Sequence, residues 1–254
     1  MSENNKYENI ERELKKAREI QKLLLPQGMP NIDGAKLAFK YEPAHDLGGD
    51  FLDFYYKKSE EQLGFFICDV SGHGVPAALL AVMVKMSLQL WGEHISDPVG
   101  TLKKIHRSLH GKMGEHFLTA IIGFLCLKTG ALKIARAGHP PVILINKDGE
   151  FSRINSEGTI IHEQIEIFLI EYAGRLHQNE TLVLFTDGLT EAVSPDGKML
   201  EEKGLINMLE KHKYKNPDEI CNNVLTETFE FAGGKNNLKD DLSLFIIKYT
   251  KEKN

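Results

Sequence analysis

The 254-residue sequence contains only three cysteines, and Cys68, Cys126 and Cys221 are far apart. Because there is no Cys-x-x-Cys pair, we expect neither a disulfide framework nor a thiolate zinc site. The N-terminus has no apolar leader segment, and no apolar run reaches the roughly 20 residues that a membrane span requires. These absences predict a cytoplasmic protein that does not cross a membrane.

Positive charge is also in short supply. The 31 Lys and Arg residues are outnumbered by 36 Asp and Glu residues, and no long basic block occurs. A surface that binds nucleic acid needs clustered lysines and arginines to neutralise phosphates, so we expect no nucleic-acid partner. The length fits one large domain, or one domain with an additional arm.

The chain is organised around residues 65–90, where a short apolar strand pattern ends at Asp69. Gly72 and Gly74 indicate a tight turn after it, and Pro76 is well suited to the first position of a helix. The helix that follows is apolar on nearly every side, which is typical of a buried helix. Asp69 therefore lies between two buried elements, where a carboxylate is costly unless a cation neutralises it.

Three further positions repeat this arrangement of an aspartate beside a glycine turn or an apolar strand. Asp50 follows Gly48 and Gly49, Asp187 follows an apolar run, and the pair Asp240 and Asp241 precedes the last predicted strand. Any one of these aspartates alone is better explained by turn chemistry or helix capping. Their recurrence favours a site for hard divalent ions such as Mg²⁺ or Mn²⁺, since only oxygen ligands are available.

Residues 7–25 predict a charged amphipathic helix that ends at Pro26. Its apolar stripe is formed by Ile10, Leu14, Ala17, Ile20 and Leu24. The stripe covers only about two heptads, fewer than the three or four that indicate a coiled coil. Two interpretations stay open: the helix packs on its own domain, or it pairs with a second chain.

Five ordered motifs resemble those of a known family: LGGDFLDFY, ICDVSGHGVPAALLA, AGHPPVIL, LFTDGLTEA and KDDLSLFII. They are similar to the PPM-type metal-dependent serine/threonine phosphatases, in particular the bacterial branch typified by the sporulation stage II E phosphatase and the RsbU-type stress-response phosphatases. The resemblance implies an α+β fold, an α-β-β-α sandwich of two antiparallel sheets flanked by helices. The phosphatase domain would span residues 29–254 and the N-terminal helical arm residues 1–28.

The resemblance also implies a site with two divalent metal ions, Mn²⁺ or Mg²⁺, and a water that bridges them and attacks phosphorus. Asp69 would bridge both ions, and the Val70 carbonyl and Asp50 would serve one of them. The remaining ligands would be Asp187 and Asp240, with Asp241 as the alternative to Asp240. The proton for the leaving oxygen would come from His73 or from metal-bound water.

By the same resemblance, the substrate would be phosphoserine or phosphothreonine on a STAS-domain antagonist of an anti-sigma factor. An upstream regulator would contact the N-terminal helix, and the chain would form a homodimer through it. Two alternatives stay open: a binding module that keeps the fold without turnover, and a hydrolase of small phosphoesters.

Overall fold

The computed structural model describes residues 3–91 and 96–251. Within these ranges the chain forms six α-helices: α1 (Glu3–Lys22), α2 (Val75–Trp91), α3 (Pro98–Leu109), α4 (Asp187–Thr190), α5 (Glu201–His212) and α6 (Pro217–Phe231). It also forms ten strands: β1 (Ala35–Glu42), β2 (Phe51–Lys57), β3 (Gln62–Val70), β4 (Leu118–Cys126), β5 (Ala131–Ala137), β6 (Val142–Ile145), β7 (Phe151–Ile154), β8 (Tyr172–Arg175), β9 (Thr181–Phe185) and β10 (Leu242–Tyr249). None of the described helices is both long and apolar enough to cross a membrane.

The strands form two five-stranded sheets in which every pair is antiparallel. One sheet has the order β1-β10-β9-β6-β7, and the other has the order β2-β3-β4-β5-β8. Helices α2 and α3 cover the second sheet, and α5 and α6 cover the first. This is the α-β-β-α sandwich, so the predicted fold class is confirmed.

Three apolar cores separate the four layers, and the alternation of side chains along each strand fills two of them at once. In β3, Phe66 and Cys68 face the α2–α3 layer, whereas Phe65 and Ile67 face the core between the sheets. The side chain of Asp69 lies on the same side of β3 as those of Phe65 and Ile67, because side chains alternate along a strand. Its carboxylate therefore emerges at the edge of the sandwich, between the two sheets.

The N-terminal helix differs from the sequence prediction at both ends, because α1 spans Glu3–Lys22 rather than residues 7–25. The predicted place of Leu24 on the helical stripe is wrong, since Leu24 follows the helix and packs against the core beneath α2 and α3. The outer limits of the predicted domains, residues 1 and 254, lie outside the described residues.

Candidate metal centre

Two of the predicted ligands come from neighbouring strands of the second sheet. The pairing of Phe51 with Cys68 brings Asp50, just before β2, to the rung beside Asp69 near the end of β3. Gly49 has to be small here, because a Cβ atom on it would lie 2.5 Å from the Val70 carbonyl oxygen. The absence of a side chain at Gly49 therefore lets the turn before Asp50 pack closely against the Val70 carbonyl, which is a predicted metal ligand.

The first sheet supplies Asp187, which follows β9 after the single residue Thr186 and begins the short helix α4. Gly188 packs against the next strand, since a Cβ atom on it would lie 2.2 Å from the Asp241 carbonyl oxygen. The buried Thr186 hydroxyl donates to Asp50 Oδ2 at 2.6 Å, and its oxygen accepts from the Ser243 backbone N–H at 3.0 Å. Thr186 thereby joins the two sheets at the edge where the carboxylates lie.

The adjacent aspartates Asp240 and Asp241 have different environments. The carboxylate of Asp241 is buried and accepts backbone N–H groups from Ala44 at 2.9 Å and from Gly49 at 2.7 Å. The side chain of Asp240 is exposed. Asp241 is thus engaged in holding the loop that carries Asp50, which favours Asp240 as the ligand.

The carboxylates at this edge raise one another's proton affinity. Burial, followed by the charges of Asp187 and Asp240, raises the pKa of Asp69 to about 7. The pKa of Asp50 is raised well above its usual range by burial and by the charge of Asp69. The pKa of Asp187 is also raised, by burial and then by Glu191. Repulsion between like charges thus adds to the cost of burial.

No protein cation offsets this repulsion within the described residues, because none of these carboxylates has an ion-pair partner there. In the described part of the chain, no three His, Cys, Asp or Glu side chains lie close enough together to hold a metal ion between them. Mg²⁺ is commonly held by one or two carboxylates and keeps several waters. The separated oxygen ligands fit ions of this kind, with water completing the coordination.

Glu191 and Thr186 also belong to this site, although neither is predicted from the sequence. The charge of Glu191 contributes to the raised pKa of both Asp69 and Asp187. The signal was available, because Glu191 follows Asp187 by four residues across a helical turn. At the rim, His73 is exposed and its ring lies against that of His45, with 4.8 Å between centroids.

His139 supports this edge from within the structure. Its ring is buried, and Nδ1 lies 2.7 Å from the hydroxyl of Thr119, the residue that pairs with Asp69 across β3 and β4. Burial lowers the pKa of His139 to about 3, so the ring is neutral. His139 therefore makes a structural hydrogen bond at the sheet edge.

The arrangement of carboxylates at the edge of an α-β-β-α sandwich agrees with a family-level match. The model of the Stage II sporulation protein E (SpoIIE) family matches residues 59–250. The chain belongs to this family.

Individual relatives of this SpoIIE-family chain are distant. The phosphoserine phosphatase RsbU of Bacillus subtilis is 25% identical over 243 residues, which cover 95% of this chain and 71% of RsbU. Among solved structures, the SiaA-PP2C domain of Pseudomonas aeruginosa superposes with a TM-score of 0.84 at 20% identity, covering 98% of this chain and 100% of that domain. RsbX in complex with magnesium gives a TM-score of 0.64 at 14% identity, with coverages of 88% and 99%. The predicted family and enzyme class are confirmed.

Substitution of the adjacent aspartates should separate a ligand from a structural acceptor. Asp240→Ala should weaken Mn²⁺ binding, measured by calorimetry, without lowering the Tm of the metal-free protein, because it removes one of the repelling charges. Asp241→Ala should lower that Tm, because each buried N–H left without an acceptor costs about 1–3 kcal/mol. The reverse pattern would make Asp241 the ligand.

Raised carboxyl pKa values also predict how stability depends on pH. Because the folded protein binds more protons than the unfolded chain, stability should fall as pH rises from the ordinary Asp value, about 4, through about 7. Each unit by which a carboxyl pKa is raised corresponds to about 1.4 kcal/mol. The Tm in EDTA should therefore be lower at pH 8 than at pH 5.5, and saturating Mg²⁺ or Asp69→Asn should reduce the difference. An unchanged pH dependence in both cases would contradict the proposed repulsion.

Proposed function

We propose that this chain is a metal-dependent phosphoprotein phosphatase that hydrolyses phosphoserine or phosphothreonine on a STAS-domain protein. The metals would be two divalent ions, Mn²⁺ or Mg²⁺, held by Asp50, Asp69, the Val70 carbonyl, Asp187 and Asp240. We further propose a cytoplasmic location, in which the isolated cysteines would stay reduced.

The observation that carries this proposal is the concentration of carboxylates from both sheets at one edge of the sandwich. Asp50 and Asp69 come from one sheet, and Asp187 and Asp240 come from the other. Unneutralised negative charge would repel a phosphate group, so the edge suits a phosphate substrate only when cations are bound. The magnesium in the RsbX structure supports the same metal chemistry.

When bound, the two ions would activate water and neutralise charge on the phosphoryl oxygens. The residues of the chain would fix the geometry: Asp241 holds the loop before Asp50, and Thr186 holds the Asp50 carboxylate. His73, exposed at the rim, would deliver a proton from an imidazole nitrogen to the leaving serine or threonine oxygen.

Asp69→Asn keeps the shape of the proposed bridging ligand and removes its charge. It should abolish Mn²⁺-dependent phosphate release from a phosphorylated STAS protein while the far-UV circular dichroism stays unchanged. Asp148→Asn makes the same chemical change in an exposed turn and should leave the rate unaltered. Activity of the Asp69 variant within a few-fold of wild type would rule out the two-metal assignment.

The same assay separates the alternative functions. A wild type that hydrolyses a small aryl phosphate faster than the phosphoprotein would indicate a phosphoesterase. Absence of turnover with both substrates, despite Mn²⁺ binding, would indicate a binding module.

The N-terminal arm, residues 1–28, is proposed as a regulatory and dimerisation element. The Gln21 side chain both donates to the carbonyl of Gly48 at 2.7 Å and accepts its N–H at 3.2 Å, next to the loop that holds Asp50. Ile10 and Ile20 are exposed on α1, 48% and 65%, and with Val75 and Leu79 of α2 they line an apolar groove. An isolated helix of this length is marginal in water, so a second copy of the arm, biased by an upstream regulator, would stabilise it.

The double substitution of Ile10 and Ile20 by Glu should yield monomers and change the turnover rate. The reason is that it removes the apolar surface of α1 that a second copy would cover. The control, Arg12→Gln with Lys16→Gln, changes the net charge equally outside the groove lining and should have neither effect. Light scattering beside a phosphatase assay measures both. A wild type that is already monomeric at tens of micromolar, with activity indifferent to the substitutions, would leave the arm as packing on its own domain.

A further inference from the structure

Two adjoining cavities open at the end of the sandwich opposite the carboxylates. They share Lys147 and Asn179 and have volumes of about 300 and 220 Å³. The carboxylates lie where β9 ends and β10 begins, whereas the cavities lie where β9 begins and β10 ends. The eight residues of β10 rise about 3.3 Å each, so the two sites are roughly 25 Å apart.

The lining of these cavities is basic although the whole chain carries a net charge of −5. Among the described residues, no Asp or Glu lines either cavity. The Lys, Arg and His side chains that line them are Lys128, Lys147, Arg175, His177, Lys213, Lys248 and Lys251.

Most of this positive charge has no carboxylate opposite it. Lys251 pairs with Glu61, and Lys213 pairs with Glu210 at 2.6 Å. In the described parts of the chain, Lys128, Lys147 and Arg175 form no ion pair, and all three are exposed around the larger cavity. An unneutralised, concave basic surface attracts anions.

The walls of the larger cavity are held by backbone hydrogen bonds. The Leu176 N–H donates to the Gly130 carbonyl at 2.8 Å, and this bond fixes Arg175 beside the turn that carries Lys128. The Asn179 N–H donates to the Tyr249 carbonyl at 2.8 Å, with Asn179 in the left-handed conformation at φ 67°. The basic side chains therefore project from backbone segments that are already ordered, so binding an anion would cost less backbone entropy.

We propose that this basic end binds a small phosphate-bearing anion with at least two negative charges, such as a nucleoside diphosphate. Arg175 offers a planar donor pair suited to a phosphate, and Lys128 and Lys147 add point charges beside it. The volume of the larger cavity is at the lower end of the range for small-molecule sites, about 300–1,000 Å³. Leu176 and Tyr249 also line the cavity but are only 1% and 5% exposed, so the basic side chains would supply most of the contacts with the ligand.

Calorimetric titration of the full chain in EDTA tests this binding without any contribution from the metal centre or from catalysis. Pyrophosphate and ADP should each bind with one saturable site, and adenosine should not bind. Lys147→Gln with Arg175→Gln should weaken binding at least tenfold.

Lys103→Gln with Arg107→Gln, on the exposed surface of α3, is the matched control and should leave the affinity unchanged. If the Lys147 and Arg175 variant does not fold, Lys128→Gln provides the same test with one charge removed at an exposed turn. Absence of saturable binding at millimolar pyrophosphate and ADP, or equal weakening in the control, would overturn the proposal.

Discussion

Repulsion among carboxylates at one edge of the sandwich is the constraint on which the rest of the site depends. Asp50 and Asp69 approach from one sheet, Asp187 and Asp240 from the other, and no described cation pairs with them. The raised pKa values of Asp50, Asp69 and Asp187 express the cost of this arrangement in the metal-free protein. A bound divalent ion would offset that cost, because its positive charge would neutralise the carboxylates.

Hydrogen bonds from uncharged groups of the surrounding structure keep these carboxylates in place. Thr186 spans the two sheets, Asp241 accepts backbone N–H groups of the loop before Asp50, and His139 anchors Thr119 opposite Asp69. Gln21 links the arm to the same loop. A movement of α1 would therefore be transmitted to the loop before Asp50 through the two hydrogen bonds between Gln21 and Gly48. No rearrangement of the apolar cores would be needed.

Much of this architecture could be predicted from the sequence, because strand alternation and glycine turns are local signals. The run before Asp69 identified both its strand and its place at a strand end. The role of Thr186 could not be predicted, since it depends on how the two sheets meet, which no local pattern specifies. The role of Glu191 could have been predicted from its four-residue spacing from Asp187. The end of α1 was also misplaced, because Leu24 continues the helical spacing but packs on the domain core.

The number and spacing of bound metal ions test the central claim most directly. Titration of the metal-free chain with Mn²⁺, followed by electron paramagnetic resonance, should show two ions per chain with magnetic coupling between them, since paired metal sites hold ions about 3.5–4 Å apart. A single bound ion, or two ions with uncoupled spectra, would contradict a shared site built on Asp69.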